Sequence, residues 1–182
     1  RPEMVNISIM IIVMAMLTAI GRSILLLAMV LVLALTGRAF ADNAVTGMRA
    51  GAVQIDGSSG LRLVIETKVP LKASLLLLQL PYRLVIDMPK TSWDVEKLGP
   101  RGNLQVAPGS AYRFGNPRPE IGRLVIELEK PAAPVRVFAL PSAGDGSRFV
   151  IDLLDRGKTA FLVASSALEK IPNIDLNDAV TD

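Results

Sequence analysis

The chain has 182 residues with 20 basic and 17 acidic side chains, and neither His nor Cys. Their absence removes the usual zinc ligands, the usual general base near neutral pH, and all disulfide or thiolate chemistry. Setting aside Arg1, Arg22, Arg38 and Glu3 leaves 17 basic and 16 acidic residues from Asp42 onward, too even a balance for a nucleic-acid surface.

Residues 5–36 are almost wholly apolar, interrupted at Gly21-Arg22-Ser23. From Met16 the segment has the three parts of a secretory signal. Arg22 supplies the charge, Ile24–Leu35 the apolar run, and Ala39-Phe40-Ala41 a cleavage site before Asp42. The alternative is an uncleaved membrane anchor, because the combined apolar run is long enough to span a bilayer. Either way, residues 1–41 are expected to be a signal or anchor helix. The body is then exported to the periplasm and meets the membrane only through this segment.

From Asp42 to Asp155 the pattern is that of strands. A short one is expected at Ala52–Ile55, then a turn at Asp56-Gly57-Ser58-Ser59-Gly60. Next comes Arg62-Leu63-Val64-Ile65-Glu66, a basic residue, three bulky apolar residues and an acid. The pattern returns as Arg83–Asp87, Arg123–Glu127 and Arg148–Asp152. β-branched side chains suit a pleated surface, and alternation turns Leu63, Ile65, Leu84, Ile86, Leu124, Ile126, Phe149 and Ile151 to one face. The run Ala73–Leu80, bounded by prolines, fits a buried strand better than a helix.

The second half repeats the first. Tyr112-Arg113-Phe114-Gly115 answers Met48-Arg49-Ala50-Gly51, Arg123–Glu127 answers Arg62–Glu66, and Leu140-Pro141 answers Leu80-Pro81, each some 60–65 positions on. The expected fold is therefore all-β: a sandwich over 42–157 of two roughly four-stranded sheets, one per half, packed face to face. Residues 90–111 read as a connector. Residues 158–182 read as a short helix capped by Thr159 and stopped by Pro172, then a polar linker over 173–182 towards a further domain.

Two copies of the R-L-V-I-[DE] strand, R-x-G turns opening each half and an L-P spacer, behind a signal peptide, resemble the AMIN domain over roughly 44–155. Arg83-Leu84-Val85-Ile86-Asp87-Met88-Pro89 is the closest tract. The resemblance implies a sandwich of two four-stranded sheets. Such domains stand in front of zinc-dependent N-acetylmuramoyl-L-alanine amidases in the periplasm of Gram-negative bacteria, bind peptidoglycan and direct the hydrolase to the division septum. They also occur in secretin pores. On that analogy this chain is not itself an enzyme, zinc belongs to a downstream amidase domain, and the partners are peptidoglycan with division-site or envelope proteins. A periplasmic protein-interaction domain of a secretin or similar assembly is the second expectation.

The residues that suit a glycan-peptide polymer are Tyr112, Arg113, Asn116 and Arg118, with Arg49 at the equivalent point of the first half and Trp93 in the connector. Arginine offers planar forks to carboxylates, and aromatic rings offer apolar area with a polar tip. Alternation places Tyr112 and Phe114 on one face and Arg113 on the other, so the aromatics also read as core. Trp93 reads as a lid on the sandwich edge. Glu66, Asp87, Glu127 and Asp152 are rejected as a glycosidase pair, because an Arg on the same face keeps a carboxylate ionised.

Overall fold

The computed structural model describes residues 43–70, 72–141, 146–169 and 174–175. The chain divides into two units, Arg1–Ala41 and Asp42–Asp182, and the described residues all belong to the second. The signal or anchor expected over 1–41 lies outside the described residues. Among those described, no helix is long and apolar enough to cross a membrane.

Eleven strands and one helix are described: β1 (Asn43–Ile55), β2 (Ser58–Thr67), β3 (Lys72–Leu78), β4 (Arg83–Pro89), β5 (Thr91–Trp93), β6 (Arg101–Val106), β7 (Gly109–Arg118), β8 (Ile121–Leu128), β9 (Ala132–Pro141), β10 (Ser147–Asp155), α1 (Gly157–Leu168) and β11 (Ile174–Asp175). They form a five-stranded sheet in the order β5-β1-β2-β10-β9 and a six-stranded sheet in the order β11-β3-β4-β8-β7-β6. The two sheets are thus larger than the four strands each that the sequence suggests. The additions are β5 and β6, inside the stretch read as a connector, and β11, inside the stretch read as a linker.

The two halves do not form one sheet each. Each half contributes strands to both sheets, and the halves meet along β2–β10 in one sheet and β4–β8 in the other. Exchanging β1–β4 for β7–β10 converts the strand order β1-β2-β10-β9 into β7-β8-β4-β3, so the duplication maps one sheet onto the other. The register is compatible with this arrangement. R-x-x-x-acid is self-complementary in an antiparallel pair, because each basic end meets an acidic end. Arg148 faces Glu66 and Asp152 faces Arg62 in one sheet; Arg83 faces Glu127 and Asp87 faces Arg123 in the other. A one-residue slip would turn every apolar side chain outward, so both charge and burial hold this register.

The eight side chains expected to point inward are all fully buried. They join Leu61, Leu75, Leu77, Met88, Leu128 and Leu153 in one core between the sheets. One lateral opening is closed by α1, whose Phe161 is fully buried and meets Tyr82 edge-on at 5.0 Å. The Ser165 hydroxyl fixes the helix by donating to the Leu77 carbonyl at 3.0 Å. Trp93 helps close the other side, lying against Tyr112 and Phe114 with ring centroids 5.9 and 5.3 Å away.

The helix starts two residues before the expected cap at Thr159. Arg156 occupies the N-cap without a side-chain hydrogen bond, and Gly157, at φ +83°, lets β10 break directly into the helix. The Gly157 N–H donates to Asp155 Oδ1 at 3.0 Å. The expected stop at Pro172 lies outside the described residues.

Candidate functional site

The outer faces of the two sheets carry the charged ends of the repeated strands. On the five-stranded sheet Arg49, Arg62, Arg136 and Arg148 surround Glu66 and Asp152. On the six-stranded sheet Arg83, Arg101, Arg113 and Arg123 surround Asp87 and Glu127. A body of nearly balanced charge thus places an arginine excess on both broad surfaces. Sheet packing causes this, since alternation sends every motif Arg away from the core.

Within each face one Arg is committed to an acid. Arg62 donates from Nε and Nη2 to the two oxygens of Asp152 at 2.6 and 2.7 Å, and Arg123 does the same to Asp87 at 2.6 Å for both bonds. Each guanidinium is held above its usual pKa, first by these hydrogen bonds and then by the charge of the same carboxylate, against an opposing effect of burial. Arg62 also lies over the Phe138 ring, 5.8 Å from its centroid. The second carboxylate of each face is met through one oxygen only. Glu66 Oε1 is met by Arg49 Nη2 at 2.5 Å and Arg148 Nε at 3.3 Å, while Glu127 Oε1 lies 3.7 Å from Arg113 Nε.

The six-stranded face has a feature the duplication does not copy. β6 adds Arg101 beside β7, and a recess of about 380 Å³ opens there among Arg101, Arg113, Gly115, Asn116, Arg123 and Val125. Gly115 forms part of its wall. A Cβ added at Gly115 would meet nothing within 4 Å, so the missing side chain is what keeps the recess open. No acid among the described residues pairs with Arg101 or Arg118, whereas Arg113 keeps half of its side-chain surface exposed beside Glu127.

The structure separates the residues singled out from sequence. Arg113 and Asn116 line the recess. Tyr112 does not: it is buried, and its hydroxyl donates to the Gly99 carbonyl at 3.0 Å. Trp93 is half-buried in its lid position and donates to the Leu98 carbonyl at 2.8 Å. Arg118 is exposed at the end of β7 and is not part of the recess lining. Arg49 sits on the outer face of the other sheet and shares no surface with Arg113. Asn116 spends its amide on the Thr91 and Ile121 carbonyls, at 3.1 and 3.2 Å.

No protein-family model and no curated protein matches this chain. The site therefore rests on its own chemistry. Sequence reasoning missed Arg101 because 90–111 reads as a connector, although Asn103-Leu104-Gln105-Val106 alternates polar and apolar residues as a strand does. It also read the two R-x-G segments as turns. Both lie within strands, Arg49-Ala50-Gly51 in β1 and Arg113-Phe114-Gly115 in β7. The signal available for Gly115 was its position two residues after an outward Arg, which places it on the same outer face. Among the described residues no cluster of three or more metal-ligating side chains is present.

Proposed function

We propose that this chain is a periplasmic peptidoglycan-binding module of the AMIN type, carrying an attached N-acetylmuramoyl-L-alanine amidase to the septal cell wall. The observation that carries the reading is the pair of broad faces, each setting four arginines around two acids. A glycan-peptide polymer presents carboxylates to such forks and apolar sugar faces to the side chains between them. On the five-stranded face these are Val64, Phe138 and Leu140, and on the six-stranded face Leu76; Val85 and Val125 of that face are buried. The reaction belongs to the attached hydrolase, whose zinc would be held by its own ligands. The part of this chain is to bind and localise.

Sedimentation of the full chain with purified sacculi, beside a sacculus-free control, tests this. Pelleting with sacculi that weakens as salt rises is expected, because exposed charge contacts are screened. A chain left in the supernatant at low salt would end the peptidoglycan reading.

One observation favours contact with an envelope protein as the second reading. Beyond its parallel pairing with β5 at Asn43–Val45, β1 has no described strand on that edge, and an open edge accepts a partner's strand. A secretin-type assembly would use that edge rather than the faces.

A further inference from the structure

The strand register contains one exception to its own rule. Along both inter-half seams every outward Arg faces an acid, yet Arg101 on β6 stands directly opposite Arg113 on β7. Like charges directly opposite across a strand pair destabilise it. Both belong to the recess beside Gly115. Of the third arginine there, Arg123, Nε and Nη2 are already bonded to Asp87. Asn116 has likewise committed its amide N–H groups. Arg101 and Arg113 have the least committed guanidinium groups of the recess: no acid among the described residues pairs with Arg101, and Glu127 holds Arg113 only at 3.7 Å.

We propose that this recess is a carboxylate-binding subsite, in which Arg101 and Arg113 close on one carboxylate from adjacent strands. The planar forks of Arg101 and Arg113 suit the two oxygens of one carboxylate, and Arg123, the third arginine of the lining, is held by Asp87. The rest of the lining is Phe114, Pro117 and Val125 with the bare Gly115, which suits a small apolar side chain next to the carboxylate. The ligand class is the free C-terminus of a short peptide ending in a small residue. The source of that group, a peptidoglycan stem peptide, rests on the proposed peptidoglycan function; the chemistry of the subsite does not.

The test uses the full chain and two probes, N-acetyl-D-alanyl-D-alanine and its C-terminal amide, with binding followed by calorimetry and sacculus pelleting measured in parallel. The acid binds and the amide does not. Arg101→Ala weakens the acid about tenfold or more, the loss of one charge-assisted contact. Gly115→Leu blocks it, since a Cβ there meets nothing within 4 Å and the rest of the side chain would fill the recess. Arg101→Glu abolishes binding but raises the melting temperature by about 1–4 °C, because it turns a like-charge pair into an opposite-charge one. That combined result is one a merely solvated Arg101 does not produce. Equal binding of acid and amide, or unchanged binding by Arg101→Ala, overturns the subsite. A chain that pellets with sacculi but takes up neither probe overturns the subsite alone. A chain that binds the acid but does not pellet keeps the subsite and overturns the peptidoglycan reading.

Discussion

Arg62 and Asp152 lie 90 positions apart in the chain and are joined by two parallel hydrogen bonds, 2.6 and 2.7 Å long, across the seam between the halves. The same two bonds join Arg123 to Asp87 in the other sheet, but the surroundings differ. The Asp152 side chain is 0% exposed, whereas that of Asp87 is 25% exposed. Removing the Arg leaves an unpaired carboxylate, and a carboxylate out of reach of water is the costlier one to strand. Arg62→Ala is expected to cost about 3 kcal/mol, near the lower end for a broken buried pair because the guanidinium itself is partly solvated. Arg123→Ala should cost about 1 kcal/mol. Urea unfolding followed through Trp93 fluorescence compares them, and equal costs would contradict the burial argument.

The pH behaviour follows from the sign of the arginine shifts. Both Arg62 and Arg123 are raised in the folded state, chiefly by hydrogen bonds to Asp152 and Asp87. A raised base contributes stability that is fully present below its unfolded pKa and is lost only as pH rises through the folded one. That window lies above the usual arginine value. With no His in the chain, no side chain has an ordinary pKa between 5 and 8. The melting temperature should therefore stay flat between pH 6 and 8, and these two arginines should not lower it at pH 10. A step near pH 6.5 would show that some other group is strongly perturbed.

Glycine substitutions should split by what a Cβ would meet. At Gly122 it would run into the Thr91 carbonyl and come within 2.8 Å of the Phe114 ring. Gly122→Ala should therefore cost several kcal/mol, at or above the roughly 1–3 kcal/mol typical of overpacking, because one of the obstructing atoms is backbone. At Gly115 nothing stands in the way, and Ala loses less backbone freedom on folding. Gly115→Ala should be neutral or stabilising by up to about 1 kcal/mol. Denaturation midpoints of the two variants give the comparison directly.

The helix should matter chiefly through its one fully buried residue. Phe161 is fully buried between the sheets' edges, while Val163 on the same helix is 67% exposed. Phe161→Ala should cost about 3–5 kcal/mol through lost burial and the cavity left behind. Val163→Ser should lie within about 0.5 kcal/mol of the parent. If the two changes cost the same, α1 does not plug the core.

Local pattern alone determined the strands of the repeated motif and the face each buries, because alternation is a property of five consecutive residues. Duplication, too, is visible in the order of landmarks. How the copies combine is not, since a self-complementary strand pairs equally well within its own half or with the other. Only the packed structure decided that the halves interlock, with β2 against β10 and β4 against β8. The site divides the same way. Arg113 was legible as an outward residue beside a glycine, and Trp93 as a lid. Arg101 was not, because it belongs to a strand whose place is set by β7 and by the cover that Trp93 gives the core, contacts between residues remote in sequence. A charge pair across two strands is a fact of register, and register is settled when the core closes.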